Sequence, residues 1–415
     1  MPIPDKAAPK KPRESEEDKD EATTLTLAAL AVALAHGESR RSDAGLVHQQ
    51  EIDFHKIIKR SLHQKKDEVL YDALARTEAQ DRDGALYLKQ AVEQAAEVTV
   101  IERAEGKMME INAFVIPLFL HTTGGLDPER CFQDQDAFEL LSKSFQAGHL
   151  ESPGATVVLV NHGYHLNEID GITYSHLHDM LRDAFVAMTD KRIAATPAID
   201  RSFGGWPDSP FAAGDRAIEL RFLVGFSLKA VDDPFYVVPD AEVAADAYFA
   251  NRELRFQKWT ATAAPLVKRC FGLEPGVAGA DPADSDLHFL YQDLFHGGKE
   301  RGIAEYFMLQ LISELNHALQ SNATAAEHTR AVLGPAMNGE EPVLRVHLHN
   351  AEGILVAQAD KPVTGMADWD LEFADAHGAL TMIGVKTASI ARQFDRDGTP
   401  VDLTPYHGPR QADAA

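Results

Sequence analysis

The feature that most constrains this chain is a change of hydrophobic period at residue 98. Residues 22–97 space their apolar side chains three and four apart, the period of helices with one buried face. From Val98 the text reads VTVIER, AEGK, MMEINAFVIPLFL, which predicts a β-hairpin with a glycine-containing turn. The second strand ends in a continuous apolar run, as expected of a strand covered on both faces. Pro117 inside that run predicts an edge or a bulge, because proline has no N–H for the ladder. Helices first and strands afterwards predict an α+β fold, with a small all-helical N-terminal domain followed by a larger mixed β-sheet domain with packed helices.

The rest of the chain divides by composition. Residues 1–21 are charged and nearly free of apolar side chains, and predict a disordered tail. Within the helical part, 22–97, Thr23 or Thr24 can cap the first helix and Gly37 can end it. Residues 98–272 read as an α/β mixed-sheet region, in which Pro265 marks the first turn of a new helix. LEPGVAGADPADSD, 273–286, reads as a linker. Residues 287–395 carry a helix over 299–319, with Ile303, Phe307, Leu311, Leu315 and Leu319 at four-residue spacing. They also carry a hairpin, VLRVHLHN and ILVAQADK, expected to pack on the same sheet, while HGALTMIGVKTA reads as a further strand or a short helix. Residues 396–415 read as a loose polar tail.

Bulk numbers narrow the function classes. With 64 acidic against 40 basic residues the formal charge is −24, which disfavours nucleic acid and anionic membranes. The basic stretch HKIIKRSLHQKK, 55–66, lacks an aromatic residue on which a base could stack. The apolar run LTLAALAVALA, 25–35, follows an acidic stretch, unlike a signal peptide, and is too short to span a bilayer. Only Cys131 and Cys270 occur, with no metal or disulfide spacing, so a reducing, cytoplasmic setting is expected.

Three places could carry chemistry. The stretch VVLVNHGYHLNEIDGITYSHLHDM, 157–180, gathers four histidines and three acids just after a predicted strand, where α/β sheets place ligands. Metal binding needs about three converging ligands. His176 and His178 lie two apart on a predicted helix and diverge, whereas His162 and His165 could meet if the turn curls back, with Glu168 or Asp170 as the acid. Asp170 and Thr173 serve equally well as turn and cap residues. In LRVHLHN, Arg345, His347 and His349 face one way on a strand, so the two histidines could hold one ion or simply form a solvated face. In LFHGGKERG, Gly297, Gly298 and Lys299 precede a predicted helix whose N-terminus could receive an anion. The long irregular segment 196–216 carries Phe203, Trp206 and Phe211, which suit a lid with Trp206 against a ligand, a partner-binding loop, or a surface loop packed on the core.

No nucleophile elbow, HExxH, kinase set or EF-hand loop occurs. The sequence therefore predicts a non-enzymatic cytoplasmic binding or scaffold protein with a protein partner and no cofactor. The alternatives are a hydrolase using a divalent metal such as zinc at His162, His165 and Glu168 or Asp170, and a protein that binds an anionic ligand near Lys299.

Overall fold

The computed structural model describes residues 15–37, 44–102, 106–122, 126, 130–148, 150, 154–189, 211–213, 216–231, 244–273, 285–364 and 366–408. The fold is α+β, with a helical N-terminal region ahead of a sheet-rich part. It divides into two compact units: residues 1–96 with 173–178, and residues 97–172 with 179–415.

The first unit is built on α1 (Glu16–Ala35), α2 (Ala44–His63), α3 (Asp67–Glu78) and α4 (Arg82–Glu97). Leu27, Ala31, Phe54, Ile58, Leu70 and Leu88 are fully buried and form its apolar centre. Its first helix starts well before Thr23. Ser15 and Asp18 form a capping box, with Asp18 N 3.0 Å from Ser15 Oγ. Acids in the first turn suit the positive end of the helix. Lys66 reaches Asp20 at 2.6 Å, and Arg76 reaches Glu21 at 2.7 Å. Residues 16–21, expected to be unstructured, are thus helical through partners some fifty positions away. Gly84 lets α4 approach α1, since a Cβ there would lie 2.9 Å from Val32 Cγ2.

The second unit holds two larger sheets. β1 (Val98–Glu102) and β2 (Met108–Thr122) form the predicted hairpin. After α5 (Gln135–Ala147) come β3 (Thr156–His165), α6 (Leu166–Asp170) and α7 (Tyr174–Thr189), whose first residues, to His178, belong to the first unit. On α7, Leu177, Leu181 and Met188 are buried, as their spacing predicts. β4 (Phe211–Ala213) pairs with β5 (Arg216–Ala230), which lies between β2 and β3 in the order β1-β2-β5-β3. Residues 196–210, Phe203 and Trp206 among them, lie outside the described residues.

α8 (Ala244–Cys270) runs through Pro265 without a break. Pro265 removes one amide, and the residue it would have bonded four positions earlier is the exposed Ala261, whose carbonyl water can satisfy. β6 (Asp286–Phe289) and β7 (Asp293–Leu294) both pair with β2, on the side away from β5. α5 and α8 cover one face of this sheet, where Phe114, Leu118, Phe145, Trp259 and Phe271 pack together.

α9 (Phe295–Ser321) starts four residues earlier than its periodicity suggests and packs on the other face. The strands after residue 330 make a sheet of their own rather than packing on the first. β8 (Arg330–Asn338), β9 (Glu341–His349) and β10 (Leu355–Pro362) form an antiparallel meander. α10 (Trp369–Met382) and β11 (Thr387–Ile390) share the stretch read as one element, and β11 pairs with β8 in parallel. That parallel pair makes the sheet mixed. Leu311, Leu315, Leu333, Leu344, Val346 and Leu380 form its core with the two helices. Beyond β11, the small hairpin β12 (Gln393–Phe394) and β13 (Pro400–Val401) lies on β8, and β14 (Thr404–Tyr406) pairs with β11. The polar residues 396–408, expected to be loose, therefore contain strands: the Asp395 carboxylate closes the hairpin by accepting from the amides of Asp397 and Thr399.

Candidate functional site

At the histidine-rich turn, β3 does not stop at Val160 but continues through His165. Its register against β5 shifts between Leu159 and Gly163, so the strand bulges where the turn was expected. Gly163 is required there, because a Cβ would lie 2.5 Å from the Phe271 ring. His165 caps α6: its Nδ1 accepts from the Asn167 amide at 3.2 Å. Glu168 closes the box by accepting from the His165 amide at 3.0 Å. The same carboxylate oxygen lies 3.2 Å from His162 Nε2. His165 and Glu168 are 9% and 6% exposed.

Beneath this cap lies a buried charge pair. Arg221, opposite His165 in the sheet register, donates to Glu219 at 2.6 Å, and Glu219 also accepts from the Leu126 amide at 3.0 Å. Burial, and then the nearby Arg221 charge, push the His165 imidazole down to about 4, so it is neutral at pH 7. Burial alone would raise the Glu168 carboxyl, but hydrogen bonds from His162 and the His165 amide outweigh it and hold the group below the usual carboxylate range.

His162 and Glu168 therefore come together, whereas the His165 side chain turns one ring nitrogen back to the chain. Asp170 points elsewhere and pairs with Lys299 at 3.3 Å. Among the described residues, no group of three or more His, Cys, Asp and Glu side chains could hold a metal ion.

The second histidine pair sits on the outer face of the second sheet, but that face is not simply solvated. Phe394 from β12 covers His347 at 4.5 Å between ring centroids, leaving His347 3% exposed. His347 Nε2 has no hydrogen-bond partner among the described residues, while the ring hydrogen-bonds the Gln358 side chain. The His349 ring is 5.9 Å away, and Arg345 forks onto Asp360 at 2.8 and 2.6 Å. Burial and then the His349 neighbour lower the pKa of His347. Gly334 allows the hairpin this close, since a Cβ there would lie 2.9 Å from the Ala391 carbonyl.

At the third place, Gly297 and Gly298 lie inside the first turn of α9. A Cβ at Gly298 would meet Val115 Cγ1 at 2.5 Å, so this glycine lets the helix approach β2. The end of α9 already holds a carboxylate: Glu97 accepts from the His296 amide at 2.9 Å and lies 3.0 Å from its Nδ1.

A larger concavity was not marked by any motif. A groove of about 990 Å³ runs between one face of α8 and the segment 287–293. Phe256, Leu287 and Phe289 belong to its apolar wall, and they pack on the core behind. Tyr291 lies with its ring centroid 4.8 Å from that of Phe256, the two rings tilted by 51°, and Arg252 lies over the Tyr291 ring at 4.4 Å while donating to its hydroxyl. Arg301 stands exposed on the rim. The string HFLY at 288–291 is the one sequence signal for this groove, and it names only one wall. Comparison with family models, curated proteins and solved structures gave no match to the chain.

Proposed function

We propose that this chain is a non-enzymatic binding protein whose ligand surface is the groove between α8 and residues 287–293. The groove itself carries the reading: its volume of about 990 Å³ and its apolar wall with a few polar groups are what binding sites for peptides and small molecules share. The internal use of His165 and Glu168 as a helix cap supports the same view, because both groups already have structural work. Both cysteines are buried and neither forms a disulfide, in keeping with a reducing, cytoplasmic setting. The test is ligand-observed NMR with a fragment set. Ala261, exposed on the groove wall, is replaced by tryptophan to fill the space. Hits that disappear in Ala261→Trp support the site; hits that persist unchanged, or no hits at all, refute it.

One observation favours a competing reading, a metal-dependent hydrolase. His162 and Glu168 already approach to 3.2 Å, and His165, whose Nδ1 caps α6, is the third candidate ligand of this reading. Elemental analysis of the purified protein decides between the two. Stoichiometric zinc that is lost in His162→Ala plus His165→Ala would establish the hydrolase reading; metal-free protein would remove it.

A further inference from the structure

The groove has an open strand edge, and the register of β6 shows which backbone groups lie on it. Phe289 stands opposite Leu118 and Leu287 opposite Leu120, and the Leu290 amide donates to the Pro117 carbonyl at 2.9 Å. In an antiparallel pair, bonded and non-bonded positions alternate. Leu290 and His288 therefore turn their backbone groups toward β2, and Leu287 and Phe289 turn theirs away from it. Among the described residues β6 pairs with β2 alone. Two N–H and two C=O groups thus face outward beside the groove, in a strand with no proline, lysine or bulge to blunt its edge. The side chains of the same two residues lie half-buried on the groove wall. Arg301, on the rim, has no ion-pair partner among the described residues, although the chain as a whole carries −24.

We propose that the groove takes an extended peptide segment of a partner protein, added as a strand along β6, with an apolar side chain against Phe256 and Phe289 and an acidic side chain at Arg301. Strand addition uses the outward amides and carbonyls for affinity and the alternating side chains for selection. This inference rests on the groove being the binding surface, and it adds the occupant.

The probe is a capped heptapeptide of alternating valine and threonine with one glutamate at its end. Its binding is read by fluorescence polarisation, and amide exchange is followed at Leu287 and Phe289. Binding should protect both amides, and N-methylation of alternate peptide amides should abolish it. Leu287→Pro removes an outward N–H that β2 does not use, so it should eliminate binding, whereas Leu287→Ala, which gives up the same packing on the core but keeps the N–H, should retain it. Arg301→Glu should weaken the glutamate peptide about tenfold, and a lysine in place of the glutamate should recover it.

Equal binding of the N-methylated peptide, or full binding by Leu287→Pro, overturns the proposal. So does a dimer of this chain that Leu287→Pro splits, which would make a second copy the occupant. Fragment hits in the groove with no binding of the heptapeptide would leave the binding surface standing and remove the strand.

Discussion

His165 on the cap of α6 and His347 on β9 are both buried, 9% and 3% exposed, and burial lowers the pKa of both. Their surroundings differ. His165 closes a polar circuit: an amide donates to its ring, its own amide bonds Glu168, and a buried arginine–glutamate pair lies alongside. His347 fills space under Phe394, with one ring nitrogen unsatisfied. The first imidazole holds the backbone in place, and the second is tolerated because a neutral ring packs well. The difference teaches that two histidines near one another in a sequence say little about function until the groups that satisfy each nitrogen are known.

The strongest way to break this comparison is to remove a charge from each region. Arg221→Ala leaves Glu219 buried without its partner and should cost about 3–5 kcal/mol in urea unfolding. Arg345→Ala, at the better hydrated Asp360 pair, should cost less, about 1.5–3 kcal/mol. Equal losses would mean that the two regions are not energetically distinct.

Acid sharpens the comparison next. A histidine whose folded pKa is depressed contributes stability that is complete above its unfolded value and is lost as pH falls toward the folded one. For His165 the window runs from its ordinary 6.5 down to about 4, and the loss across it is at most ~3 kcal/mol. Urea midpoints at pH 7, 5.5 and 4.5 should fall steadily in the wild type. His165→Asn, which keeps a capping side chain, should flatten most of that slope. An unchanged slope would place the acid sensitivity elsewhere.

The smallest expected effect is at His347. His347→Leu replaces an unsatisfied polar atom under Phe394 with an apolar one but gives up the bond to Gln358, so stability should change by no more than about 1 kcal/mol. A clear drop in the melting temperature would show that His347 makes a contact its neighbours depend on.

Much of the architecture could be read from local pattern. The helix-to-strand switch at residue 98, the hairpin that follows and the buried face of α7 all follow from periods of 3.6 and 2. What escaped depended on distant partners. The acidic run at 16–21 is helical with Lys66 and Arg76 beside it, and α8 passes through Pro265 because its freed carbonyl lies on an exposed turn. The histidines of the candidate sites were visible, yet their fates were not. The approach of His162 to Glu168 depends on a bulge that no pattern announces, and the burial of His347 depends on Phe394, which arrives from a hairpin beyond residue 390. The groove was least legible, since its walls come from two separate stretches that the sequence does not connect.

The order in which β2 acquires its neighbours has a consequence for synthesis on the ribosome. Among the described residues, positions 114–121, almost wholly apolar, receive their outer partners from strands at 286–289 and 293–294. Until those have emerged, the nascent chain displays a long hydrophobic strand edge of the kind that recruits other chains. Fragments ending before residue 286 should therefore form inclusion bodies, and full-length yield should depend on chaperones that shield this strand while translation continues.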